Sequence, residues 1–161
     1  MQESPFRLPR YEEIPDIGLY LDQTAKYINS YLESFGDMNI TTSMISNYVK
    51  HGLVDNPIKK QYSQEQIAYL FFIAIVKPVL ALGDIQVLIQ MQRNKYPPEM
   101  AYNYFRDEFL AALTEVFELP EVEAVPAPQS SPEQKICRNT VVAVAYKIYL
   151  DRSIHNYTKE N

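Results

Sequence analysis

A single cysteine, Cys137, serves the whole chain. That excludes an internal disulfide and every metal centre built from several thiolates, and it suits a reducing compartment. Set among apolar neighbours, Cys137 reads as an inert packing residue. Only two histidines are present, His51 and His155, and neither has a histidine, cysteine or carboxylate at ligand spacing. Metal centres and histidine-based catalytic sites need several convergent groups, so neither is expected. Glu12 with Glu13 and Glu121 with Glu123 stand in proline-flanked segments and read as solvated charges. Four glycines in 161 residues argue against a turn-rich all-β fold, and none belongs to a phosphate-cradling loop. The longest unbroken apolar run, residues 67–76, meets Lys77 and Pro78, well short of the roughly 20 residues that cross a bilayer. The amino end, MQESPFRLPR, lacks the apolar core a signal peptide needs. The expectation is a cytoplasmic protein that is no enzyme, holds no cofactor or metal, and has no membrane partner.

What is present is ordinary in bulk and uneven in detail. A hydrophobic fraction of 47% and a charged fraction of 22% fit one well-buried core in a mostly helical, all-α chain. The net charge of −5 weighs against non-specific attachment to nucleic acid through the overall field. Acids match or outnumber bases everywhere except residues 38–62, where three lysines face one aspartate, Asp55.

That positive stretch is also the most structured to read. Thr41 can cap the first free amides of a helix, and Ile40 can pack on Ile45 as a hydrophobic staple. Gly52 closes the helix, because a left-handed terminal residue is cheapest without a side chain. Met44, Ile45, Tyr48 and Val49 recur at helical spacing and predict a buried face, while Ser43, Ser46, Asn47 and Lys50 predict an exposed one. Hydroxyl, amide and ammonium groups on one exposed face match base edges and phosphates of a DNA major groove. The plainer alternative is the solvated face of an ordinary packed helix.

The rest of the chain divides around this helix. Residues 1–15, with three prolines, predict an extended arm whose Phe6, Leu8, Tyr11 and Ile14 lie along the body. Asp16 predicts the cap of a long first helix with Ile17, Leu21, Ile28, Leu32 and Phe35 on one side and Tyr20, Tyr27 and Tyr31 beside them. Residues 53–62 predict a two-strand wing. Ser63 and Gln66 form a capping box for a helix over residues 64–82 that is apolar on all sides, with Pro78 bending or ending it. Asp84 predicts the cap of a short helix. Pro97 and Pro98 predict a fresh start for a helix within residues 96–119. Residues 120–132 read as a loop. Ser131, Pro132 and Gln134 then open a carboxy-terminal helix over residues 133–153 that packs back on the core, with a frayed end.

The order Asn47, Tyr48, Gly52, Leu53, then Tyr62-Ser63, then Ile67, Leu70, Ile73 and Leu82, Asp84, Ile85 resembles the DNA-binding head of MerR-type regulators. The resemblance covers about 50 residues. It implies a helix-turn-helix with a minimal wing over residues 16–95. Two departures stand out. Ser46 occupies the place where that family usually carries arginine, and the wing offers Lys59, Lys60 and Gln61 instead of arginine beside an aromatic. The segments LPRYEEIPDIGLYLDQ, TTSMISNYVKHGLV and KKQYSQEQIAYLFFI are also similar to a bacterial family, domain of unknown function 1836, which implies a helical fold with a MerR-like segment.

Together these imply a DNA-binding transcriptional regulator whose partners are double-stranded DNA and a second copy of the chain. Ser43, Ser46 and Asn47 are expected on base edges, and Thr42, Tyr48, Lys50, His51, Lys59 and Lys60 on phosphates. The alternative is a protein-interaction module that retains the helix-turn-helix fold without reading DNA. The tyrosine strip and the helix bearing Tyr102 and Phe109 are core or dimer surface, or a site for a small-molecule effector.

Overall fold

The computed structural model describes residues 4–120 and 131–161. The fold is all-α: six helices, α1 (Leu21–Leu32), α2 (Thr42–Lys50), α3 (Gln64–Val76), α4 (Leu82–Lys95), α5 (Pro98–Val116) and α6 (Pro132–Glu160), with one pair of two-residue strands, β1 (Leu19–Tyr20) and β2 (Gln61–Tyr62), among the described residues.

The axis of the core is α3. Nine of its 13 residues are buried, because a helix apolar on every side must be surrounded by others. It packs against α1, α4, α5 and α6. Phe71 lies fully inside and meets the rings of Tyr27, Tyr31 and Tyr102 at 6.0, 6.0 and 6.4 Å. A buried phenylalanine with such edge contacts stabilises by about 2–3 kcal/mol. Ser63 opens α3 through the expected capping box with Gln66. The helix ends at Val76, two residues before Pro78, whose ring cannot continue the hydrogen-bond ladder.

The arm lies in a groove of the body. Phe6, Leu8 and Ile14 are buried, and Phe6 stacks on Phe35 at 5.7 Å. Side chains of α5 hold its backbone: the Tyr102 hydroxyl donates to the Pro9 carbonyl at 2.6 Å and Arg106 Nε to the Leu8 carbonyl at 2.9 Å.

Three boundaries differ from the sequence reading. The first helix begins at Leu21 rather than after Asp16, because Leu19 and Tyr20 are drawn into a strand against Tyr62 and Gln61. Ile17 is therefore 79% exposed instead of lining the core. Asp84 sits in the first turn of α4 and Ala81 is the cap. The final helix continues to Glu160, through the end expected to fray. Most of the 120–132 loop, with Glu121 and Glu123, lies outside the described residues.

Candidate nucleic-acid interface

Both ends of α2 are fixed by local chemistry. Thr41 Oγ1 accepts from the Met44 amide at 3.1 Å. At the other end Gly52 takes φ +78°, the Gly52 amide reaches the Val49 carbonyl at 3.1 Å, and the Leu53 amide reaches the Tyr48 carbonyl at 2.9 Å. That double bond pattern is the Schellman closure, which only a left-handed residue permits. Ile40 and Ile45 are both buried, in keeping with the expected staple.

Between these ends the helix is two-faced. Ile45 and Tyr48 are buried, Met44 and Val49 are half-buried, and Ser43, Ser46, Asn47 and Lys50 are exposed. Thr42, Ser43, Ser46, Asn47 and Lys50 line one open depression with Leu21 at its edge. The ridge from Ser43 to Lys50 is about 10 Å long at 1.5 Å per residue.

Tyr20 adjoins Leu21 and pairs with Gln61, so the wing hangs at the edge of this depression. Its strands differ from the expected ones. The pairing of Gln61–Tyr62 is with Leu19–Tyr20, and within residues 53–62 only Ile58 and Gln61 bridge. Their reciprocal amide-to-carbonyl bonds of 3.1 and 2.9 Å close a two-residue turn at Lys59 and Lys60. Both lysines have positive φ, 51° and 66°, as a type I′ turn requires, although asparagine and glycine fill that turn far more easily. Gly18, at φ +81°, lets β1 pass this turn: a Cβ there would meet Gln61 Oε1 at 2.8 Å.

Several positioning contacts were not foreseen from sequence. Asn29 on α1 accepts from the Ile40 amide and donates to the Ile40 carbonyl, both at 2.8 Å, and so sets the chain that enters α2. Gln66 donates to the Asp55 and Asn56 carbonyls at 2.8 and 3.0 Å and holds the base of the wing. Arg93 on α4 binds Asp55 at 3.0 Å and lies over the Tyr69 ring at 4.9 Å. The one acid of residues 38–62 is thus already paired. Lys50, His51, Lys59 and Lys60 are exposed and join no ion pair among the described residues.

Eight of the nine expected site residues are at or near the surface, with Thr42 half-buried. Tyr48 is the correction. It is 2% exposed, its hydroxyl is buried with no hydrogen-bond partner among the described residues, and burial raises its pKa. Its place on the apolar face decided its fate, and its hydroxyl does not reach the surface where a phosphate would sit.

The helix bearing Tyr102 and Phe109 is filled rather than hollow. Tyr102, Phe105 and Phe109 are buried, and the apolar cleft between α3, α4, α5 and α6 has a volume of only about 50 Å³. Cys137 lines it, and burial pushes that thiol up to about 12. Among the described residues no group of three His, Cys, Asp or Glu is arranged to hold a metal ion, and no helix is long and apolar enough to cross a membrane.

The family described as domain of unknown function (DUF1836) matches residues 9–105. The chain belongs to this family. The DUF1836 segment takes in the last part of the arm, α1 to α4, the wing and the first turns of α5, and so contains every residue of the candidate interface. No curated protein and no solved structure matches the chain.

Proposed function

We propose that this DUF1836 protein is a DNA-binding transcriptional regulator with a MerR-like helix-turn-helix. In this reading α1 and α2 form the pair, α2 enters the major groove, and the Lys59-Lys60 turn is the wing. One observation carries it: Ser43, Ser46, Asn47 and Lys50 form a continuous exposed hydrogen-bonding ridge on a helix pinned at both ends. Ser43, Ser46 and Asn47 address base edges, and Thr42, Lys50, His51, Lys59 and Lys60 address phosphates. The wing turn adds support. Two lysines hold a backbone conformation that costs L-residues about 1–2 kcal/mol each, and strain of that kind collects at functional positions.

One head offers few cations, so the reading takes a two-fold dimer as the binding species. Exposed residues of α6 support it. Ile136, Ala143, Leu150 and Tyr157 are all exposed and recur at intervals of seven, with exposed Tyr146 and Ile154 beside them. An apolar seven-residue repeat on the outside of a 29-residue helix offers a stripe against which a second copy can pack, although with Asn139 and Ser153 between its members it lacks the second apolar position of a full coiled-coil seam.

A protein-interaction module is the second reading, favoured by the net charge of −5 and by Ile17, Tyr20 and Ile58, apolar residues at and beside the wing that are 79%, 52% and 78% exposed. Selection of bound duplexes from a random pool at two salt concentrations separates the two. A consensus with inverted half-sites supports the regulator, and flat enrichment supports the interaction module.

A further inference from the structure

A second concavity, of about 590 Å³, lies between residues 35–39, the end of α3 and the outer half of α6. Its size falls within the roughly 300–1,000 Å³ of small-molecule sites, in contrast to the cleft around Cys137. Its floor is apolar, built from the buried Phe35, Ala74 and Ile148. Its walls are basic: Lys77, Lys147, Arg152 and His155 face only Asp37 and Asp151.

The charges are not equally engaged. Lys147 is tied to Asp151 at 2.6 Å. Arg152 donates one hydrogen bond, to the Ser34 carbonyl at 2.9 Å, and lies over the rings of Phe6 and Phe117 at 4.9 and 5.5 Å. These contacts fix the guanidinium while leaving most of its five N–H groups unspent. Lys77 is half-buried, and among the described residues its ammonium makes one hydrogen-bond contact, with the thioether of Met44 at 3.9 Å. Neither Arg152 nor Lys77 joins an ion pair among the described residues. Lys77 and Arg152, with Asp37 the one acid left beside them, keep an excess of positive charge over an apolar floor in a chain of net charge −5, the complement of an anion with an apolar body.

We propose that this cleft binds a small amphipathic organic acid, its carboxylate between Lys77 and Arg152 and its apolar part against Phe35, Ala74 and Ile148. A bare phosphate leaves the floor wet, and a neutral alcohol leaves the cations unpaired. The cleft also borders the chain leading into α2, and Lys77 touches Met44 on that helix. A bound acid would therefore stiffen the support of α2, a consequence that rests on the regulator reading, whereas binding itself does not.

Calorimetric titration of the full chain with octanoate, octan-1-ol and inorganic phosphate, without DNA, tests it. Octanoate binds at sub-millimolar concentration, and octan-1-ol and phosphate bind at least about tenfold more weakly. Lys77→Gln weakens octanoate about tenfold with the unfolding midpoint unchanged, and His155→Gln, at an exposed position, weakens it less. Octanol binding as tightly as octanoate, no octanoate binding below about 10 mM, or undiminished affinity in a folded Lys77→Gln protein overturns the proposal.

Discussion

Asn29→Ala removes the clamp that joins α1 to the start of α2. The two bonds lost, each 2.8 Å long, run to the amide and carbonyl of Ile40, a residue 1% exposed. Each buried backbone group left unpaired costs about 1–3 kcal/mol. Asn29 itself is half-buried, so water can enter the space left by the amide, and the low end applies: about 2 kcal/mol for the pair. With a urea slope of about 2 kcal/mol per molar for a chain of this size, the unfolding midpoint falls by about 1 M. Asn29→Asp should fall at least half as far, because it keeps the acceptor but sets a carboxylate against the Ile40 carbonyl. Hydrogen exchange of the Ile40 amide should speed up in both variants. A midpoint within about 0.2 M of the wild type for Asn29→Ala refutes the claim that this clamp holds α2 in place.

Four further outcomes follow from other contacts. Tyr48→Phe deletes a buried hydroxyl that has no hydrogen-bond partner among the described residues, so stability should be unchanged or rise by up to about 1 kcal/mol, and duplex affinity should not move; a loss of affinity at constant stability returns Tyr48 to the interface. Lys59→Asn with Lys60→Gly relieves two positive-φ positions and should raise stability by about 1–2 kcal/mol in chemical denaturation, while duplex affinity falls; stability lost instead contradicts the turn geometry. Arg138→Ala strips the ion-pair partner at 3.1 Å from Glu108, whose side chain is 1% exposed, and should cost about 3 kcal/mol in urea unfolding. Burial raises the pKa of Glu108, with Arg138 opposing. A folded pKa above the unfolded one makes the stability of the wild type relative to Glu108→Gln greatest below the ordinary carboxyl value of about 4.3, and that advantage is lost as pH rises through the folded pKa. Midpoints measured from about pH 4 to pH 7 check this, and a pH-independent difference contradicts it.

Features written within a few residues of one another were legible from sequence. The Thr41 cap, the Gly52 closure and the capping boxes at Ser63 and Ser131 each depend on neighbours within one turn, and each forms as expected. The buried α3 and the exposed ridge of α2 followed from periodicity. What stayed hidden depends on distant partners. Leu19 and Tyr20 carry no strand signal of their own and pair only because Gln61 and Tyr62, about forty residues on, are brought beside them. Asn29 and Arg93 look like ordinary polar helix residues, and Gln66 like a capping residue alone, until the fold places a backbone or a carboxylate against them. Tyr48 belonged to both the apolar stripe and the expected phosphate set, and the core claimed it because a ring gains more from burial than an exposed hydroxyl gains from one contact.

The central claim is that α2 and the wing turn read duplex DNA with their cations. Its most direct test is the salt dependence of binding to a pool-selected duplex for the wild type and for Lys50→Glu with Lys59→Glu. In a dimer, six lysines contributing about 0.9 each give a slope of log K against log salt near −5, and the variant, with four of them reversed, falls to about −2 or below detection. Equal slopes and affinities for the two proteins contradict the claim.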